Sequence, residues 1–133
     1  MQSRFMENTI AEVMECLGQY SELKLRRALK NSSMLSADVG AGYDPMFAEC
    51  FDKKNAACLG NGAVLSKYTG ARGKNESNDA SAEFIGKLRK VFDENGVIYQ
   101  TAELGGVDVG GGGTIAFIPA LYCMDVVDVG VPV

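Results

Sequence analysis

Hydrophobic side chains recur at helical spacing in three parts of the chain. The first set gives one face of a helix that ends near Gly18, and its members are Met6, Ile10, Val13 and Leu17. A second helix is predicted over residues 21–30, where Glu22 and Arg26 stand four residues apart. A third follows Asn78 as N-cap and stops at the Asn-Gly pair 95–96, and its apolar face is Phe84, Ile85, Leu88, Val91 and Phe92.

Shorter apolar runs predict strands over residues 34–39, 63–68, 97–101 and 126–131, and a fourth helix over 114–124. Between them lie a polar loop at 69–80 and a glycine-rich segment at 105–113. Strands alternate with helices in the second half of the chain. The pattern therefore predicts an α/β fold, with a three-layer, partly parallel sheet flanked by helices.

Composition narrows the classes of function. The 133 residues are 47% hydrophobic, which suits one folded domain, and the net charge of −4 comes with no basic patch for nucleic acid. No apolar run approaches the ~20 residues of a membrane span. The acidic residues near the start and the lack of a long apolar stretch there predict no signal peptide. The 4 cysteines form no CxxC pair and are expected to be free thiols of a cytoplasmic protein.

The chain contains no histidine. This excludes a Ser-His-Asp or Cys-His site built from these residues alone, and it removes the commonest zinc ligand. No catalytic residue is assigned within the chain.

A lone carboxylate, Asp38, stands in the stretch "SADVGAGYDP" at the end of a predicted strand. Asp is a poor strand residue, and a buried carboxylate without a partner is costly. It is either a turn former at an exposed strand end or a metal ligand, and as the latter it would need further ligands from outside this chain.

Two other features allow a binding role. Lys67, Arg72 and Lys74 flank the polar loop, either as solvated charges or as groups that recognise an anionic part of a substrate. The run "GGGGTIAF", residues 110–117, is either a surface turn or a loop whose backbone approaches a ligand closely. No Lys-Ser/Thr follows its last glycine, so a nucleotide-binding domain is the least favoured function.

Several segments resemble the aspartyl aminopeptidase family of zinc metallopeptidases, most closely its clostridial-type branch. "SADVGAGYDP" is similar to the family's "SADxxHAxHP", and the similarity extends over "SRFMENTIAEV", "YSELKLRRALKNS", residues 61–73 and "GGGGTIAFIPALYCMDVVDVGVPV". The resemblance implies a cytoplasmic exopeptidase with two zinc ions, a peptide substrate and assembly into homo-oligomeric dodecamers. It implies Asp38 as one metal ligand. The substrate-binding residues it implies are Lys67, Arg72, Gly112, Gly113 and Thr114.

The same resemblance implies that the chain is incomplete. The family's Glu-Glu pair would precede Ser3, and its last metal-binding histidine would follow Val133, so residues 1–133 match the C-terminal-middle portion of a catalytic domain. Ala41 and Asp44 stand where many members have histidines, and Gly111 replaces a cysteine. The alternative is a catalytically inactive truncated paralogue that acts as a binding or assembly module.

Overall fold

The computed structural model describes residues 3–71, 75–106, 109 and 114–133. Its helices are α1 (Phe5–Cys16), α2 (Glu22–Lys30), α3 (Ala82–Glu94) and the single turn α4 (Phe117–Ala120), with a 3₁₀ helix at Pro45–Cys50. The strands are β1 (Ser33–Ser36), β2 (Val39–Gly40), β3 (Ala63–Ser66), β4 (Tyr68–Ala71), β5 (Asn75–Asp79), β6 (Tyr99–Thr101) and β7 (Asp125–Pro132). The mixed sheet with flanking helices confirms the predicted α/β class.

Local chemistry sets the helix ends. Ser21 and Ser81 are the N-caps of α2 and α3, and each hydroxyl accepts a hydrogen bond from a main-chain N–H three residues on. Gly18 and Gly96 follow α1 and α3 with φ of 64°, as a helix stop requires. Asn78 is not the cap of α3, as its sequence position suggested, because it lies in β5.

Strand β7 is the centre of the main sheet, whose order is β1-β7-β3-β6. It pairs in parallel with β1 and β2 and antiparallel with β3, and β3 pairs in parallel with β6. The predicted strand 34–39 is therefore divided into two short strands that share one partner, with residues 37 and 38 between them.

Two sequence predictions were wrong in detail. The polar segment 69–80 was expected to be a loop, but most of it is the antiparallel pair β4–β5, which begins directly after β3. The predicted helix 114–124 is reduced to α4. It starts late because the Thr114 hydroxyl accepts from the Ala116 N–H, and Cys123 takes a positive φ of 62° just before β7.

The core lies between α3 and one face of the sheet. Leu65 of β3 and Val127 of β7 are almost fully buried there against Phe84 and Leu88 of α3. Alternation along the strands places Ser66 and Asp128 on the opposite face. That second face carries the residues of interest below.

Apolar side chains also remain at the surface. Helix α1 buries none of its residues, and Phe5, Val13 and Leu17 are mostly exposed around it. Within the described ranges, no helix has the length and hydropathy needed to cross a membrane. All 4 cysteines are free, as expected.

Candidate metal-ligand and substrate site

Asp38 lies in the gap between β1 and β2. Ser36 pairs with Asp128 and Val39 with Val131, so the unbroken register places Asp38 opposite Gly130 of β7. Its main-chain carbonyl accepts a hydrogen bond from the Val131 N–H at 3.2 Å. The backbone of the candidate ligand is therefore fixed by the central strand.

The Asp38 side chain is exposed, and its Oδ1 accepts a hydrogen bond from the adjacent Val39 N–H at 2.8 Å. This is the contact of a turn former. It leaves other lone pairs of the carboxylate free for a cation, because a carboxylate has about four acceptor positions. Both sequence interpretations of Asp38 are compatible with this geometry.

A buried carboxylate lies beside it on the same face. Asp128 is 1% exposed, and its neighbours across the sheet are Ser36 of β1 and Ser66 of β3, so that three small polar side chains form one row. Within the described part of the chain, neither Asp128 Oδ1 nor Ser36 Oγ has a hydrogen-bond partner of good geometry. We refer to Ser36, Asp128 and Ser66 as the polar row.

Burial raises the pKa of the Asp128 carboxyl above its ordinary value. The neighbouring Ser36 hydroxyl opposes this rise, the negative charge of Asp38 adds to it, and the Thr114 hydroxyl opposes it to a smaller degree. Asp38 and Thr114 therefore each lie close enough to Asp128 to affect its carboxyl. The structure thus brings together two residues singled out from the sequence and one that was not.

Asp128 stands in a stretch that carries the family resemblance, but it was not singled out because it lies in the apolar run "VVDVGV". The one sequence feature that could have indicated a functional role was a charged residue inside a strand predicted to be buried. Its meaning depends on which residues flank it across the sheet, which periodicity along one strand does not reveal.

Lys67 lies in a different region of the sheet from Asp38. It follows β3, and its ammonium group forms an ion pair with Asp79 of β5, with both side chains more than half exposed. Lys67 and Asp79 line a pocket of about 340 Å³ together with Leu65, which faces α3. Asp38 is two strands away in the sheet order. No contact between Lys67 and Asp38 joins the two regions among the described residues.

The remaining predicted residues, Arg72, Gly112 and Gly113, lie outside the described residues. Thr114 is described and is 8% exposed. Its hydroxyl accepts a hydrogen bond from the Ala116 N–H at 3.2 Å, which fixes the chain where it enters α4.

Zinc normally takes four ligands from Cys, His and carboxylate side chains or water. Within the described ranges, no group of three or more His, Cys, Asp or Glu side chains could hold a metal ion. Asp38 fits as a single ligand on a well-fixed backbone, and the described residues do not form a complete site.

Comparison with known proteins identifies the family. The family profile described as aminopeptidase I zinc metalloprotease (M18) matches residues 1–133. The chain belongs to the M18 family. The resemblance inferred from the sequence motifs is thereby confirmed.

Relatives within M18 are similar over almost the whole chain. A probable M18 family aminopeptidase 1 of Clostridium acetobutylicum is 56% identical over 131 residues, which are 98% of this chain and 28% of that protein. Its counterpart in Thermotoga maritima is 46% identical over 96% of this chain and 29% of the relative. The chain thus spans less than a third of these M18 proteins.

Solved M18 structures share the fold. The crystal structure of an M18 aminopeptidase from Thermotoga maritima superposes with a TM-score of 0.85 at 44% identity, over 96% of this chain and 28% of that one. Aminopeptidase I from Clostridium acetobutylicum gives a TM-score of 0.80 at 53% identity, over 98% and 27%.

Proposed function

We propose that the chain is the C-terminal-middle portion of the catalytic domain of a metal-dependent aminopeptidase, which removes N-terminal residues from peptides. The observation that carries this proposal is the M18 match over residues 1–133. Related M18 proteins are more than three times as long as the matched region, which leaves room in them for the general base and other metal ligands.

In this proposal Asp38 is one ligand of a centre that holds two zinc ions. Its support is the exposed carboxylate on a backbone held by Val131, beside the polar row. Zinc held there would supply Lewis-acid chemistry, by which a scissile carbonyl would be polarised and a water molecule made more acidic. Asp38 contributes negative charge at a fixed position, and no residue of this chain is assigned as the general base.

The substrate would be bound by Lys67, Arg72, Gly112, Gly113 and Thr114. Lys67 lines a pocket of about 340 Å³, and its ammonium group would exchange its partner Asp79 for an anionic part of the peptide. Thr114 lies beside Asp128, on the side of the sheet that carries Asp38. The glycines before it would allow a peptide backbone to approach closely.

We also propose that the complete protein is a cytoplasmic homo-oligomer, with the dodecamer implied by the family resemblance as the expected form. The exposed apolar residues of α1 support association, because such surfaces are usually covered by another part of an assembly. Mass photometry of the purified complete protein tests this: a dodecamer is expected, and a stable monomer contradicts it.

The test of the enzyme proposal uses Asp38→Ala in the complete polypeptide that carries these residues. Zinc content is measured by mass spectrometry, and hydrolysis is measured with a panel of aminoacyl p-nitroanilides. We expect Asp38→Ala to lose zinc and most activity. The matched control is Asp52→Ala, because Asp52 is also exposed and accepts a main-chain N–H nearby, at Lys54. Full zinc content and near-normal activity of Asp38→Ala contradict the proposal.

One observation favours the alternative of an inactive binding or assembly module. The described residues provide no complete metal site, and the chain has no histidine. If these residues act without further polypeptide, the purified chain should hold little zinc and hydrolyse none of the substrates. Two tightly bound zinc ions per 133-residue chain would exclude the module and also contradict the proposed division of ligands.

A further inference from the structure

Gly130 lies at the closest approach between strand β7 and the backbone of Asp38. A Cβ atom built on Gly130 would lie 2.3 Å from the Asp38 carbonyl oxygen and 3.2 Å from its carbonyl carbon. Contacts below 3.0 Å essentially never occur for real Cβ atoms, and the neighbour here is main chain, which cannot move aside as a flexible side chain can. Any residue other than glycine must therefore displace Asp38.

Backbone conformation does not explain the glycine. Its φ lies outside the left-handed range that other residues avoid, so an alanine could adopt the same φ. The requirement is for space alone. The nearest group in that space is the carbonyl of Asp38, the residue proposed to ligate the metal.

The neighbouring glycine on the facing strand behaves differently. A Cβ on Gly40, two residues after Asp38, would lie 3.9 Å from the Val64 side chain, which is an ordinary van der Waals contact. The Cβ on Gly130 would also lie 3.2 Å from the Gly40 main-chain N, so the crowding extends from Asp38 to the backbone of β2. It arises at the Gly130 position and not at Gly40, whose own Cβ has room.

We propose that Gly130 is a positioning residue for the metal ligand: by lacking a Cβ, it lets the Asp38 backbone lie against β7, where the Val131 N–H holds its carbonyl. The position of the carboxylate relative to the polar row then follows from the sheet register. This inference rests on the proposed function, because Gly130 has a positioning role only if Asp38 is a metal ligand.

The first experiment compares Gly130→Ala with Gly40→Ala in the complete polypeptide. Zinc affinity is measured by competition with a chromogenic chelator, and folding is checked by circular dichroism. Because residues that orient metal ligands typically affect affinity by 10- to 100-fold, we expect Gly130→Ala to lose affinity by about this factor. Gly40→Ala should keep the wild-type affinity. Equal affinities of a folded Gly130→Ala and the wild type would overturn the proposal.

A second measurement needs no variant and remains informative if Gly130→Ala does not fold. Binding and local stability are linked reciprocally, so zinc bound at Asp38 should protect the hydrogen bond that holds its carbonyl. We expect hydrogen exchange of the Val131 amide to slow by roughly tenfold or more with zinc, while the Ala80 amide, which donates to Lys67 far from the site, changes little. Unchanged Val131 exchange with zinc bound overturns the proposal.

The Asp38→Ala variant separates the two hypotheses. If it keeps zinc, the proposed function fails, and Gly130 has no ligand to position. If it loses zinc while Gly130→Ala binds normally and Val131 exchange is insensitive to zinc, only the role of Gly130 is refuted.

Discussion

Gly62 is a position where an added methyl group should be damaging to the sheet. It precedes β3 with φ of +82°, and a Cβ there would lie 2.1 Å from the Ile98 carbonyl oxygen and 2.5 Å from its carbonyl carbon. The same carbonyl accepts the Ala63 N–H at 3.1 Å, next to the pairing of β3 with β6. Gly62→Ala must therefore disturb the junction that holds the edge strand.

The loss of folding stability in Gly62→Ala has two contributions. An L-residue in the left-handed region costs roughly 1–2 kcal/mol relative to its normal conformation. Forcing an extra carbon into a filled space costs typically about 1–3 kcal/mol. Together they give a loss of about 2–5 kcal/mol, set against a total stability of roughly 7–20 kcal/mol for a chain of this length.

A variant at Gly60 separates the conformational contribution to this loss of stability from the steric one. This glycine has nearly the same conformation, with φ of +84°, but a Cβ there would meet no atom within 4 Å. Gly60→Ala should therefore lose only the conformational part, about 1–2 kcal/mol.

Urea unfolding followed by circular dichroism gives the free energy of unfolding of each variant. We expect Gly62→Ala to be less stable than Gly60→Ala by at least about 1 kcal/mol. Equal stabilities would show that Ile98, the residue before β6, does not pack against Gly62 as described, and would refute the reasoning.

Three other variants test the core and the polar row. Phe84→Ala should lower the free energy of unfolding by about 3–5 kcal/mol, because Phe84 packs against the sheet. Val91→Ala, on the exposed side of α3, should change it by no more than about 0.5 kcal/mol. Similar losses of stability in the two variants would mean that α3 is misoriented. The third variant is Asp128→Asn. In the wild type the pKa of the Asp128 carboxyl is raised, so the folded chain holds this proton more tightly than the unfolded chain. Wild-type stability therefore falls as the pH rises from the ordinary pKa of 3.8 through the pKa of the folded chain. The stability of Asp128→Asn relative to wild type should therefore increase from pH 4 to pH 7 in urea titrations. A flat or falling difference would contradict the burial of this carboxyl.

Helices α1, α2 and α3 could be predicted from the sequence because their signals are local. Apolar spacing and glycine stops are contained in α1 and α3 themselves, and the structure places both close to the predicted ranges. The β4–β5 pair was missed because its residues are polar and show no alternation. Its Asn78 is buried for a long-range reason, since its side-chain amide donates to the Val126 carbonyl at 3.0 Å.

The candidate site was only partly predictable for the same reason. Asp38 stands in a short motif and could be singled out, although no residue nearby revealed its surroundings. Asp128 and Gly130 acquire their significance only when β7 is placed beside β1 and β2, 92 residues away in the register. Pairing between strands that are far apart in the sequence cannot be predicted from the hydrophobic pattern of one strand.

Anomalous diffraction at the zinc edge from crystals of the complete polypeptide tests the central claim most directly. If Asp38 is a metal ligand, a zinc ion should lie about 2.0–2.2 Å from one of its carboxylate oxygens, since this is the usual Zn–O distance. Zinc bound elsewhere, with the Asp38 carboxylate contacting only the Val39 N–H and solvent, would contradict the account.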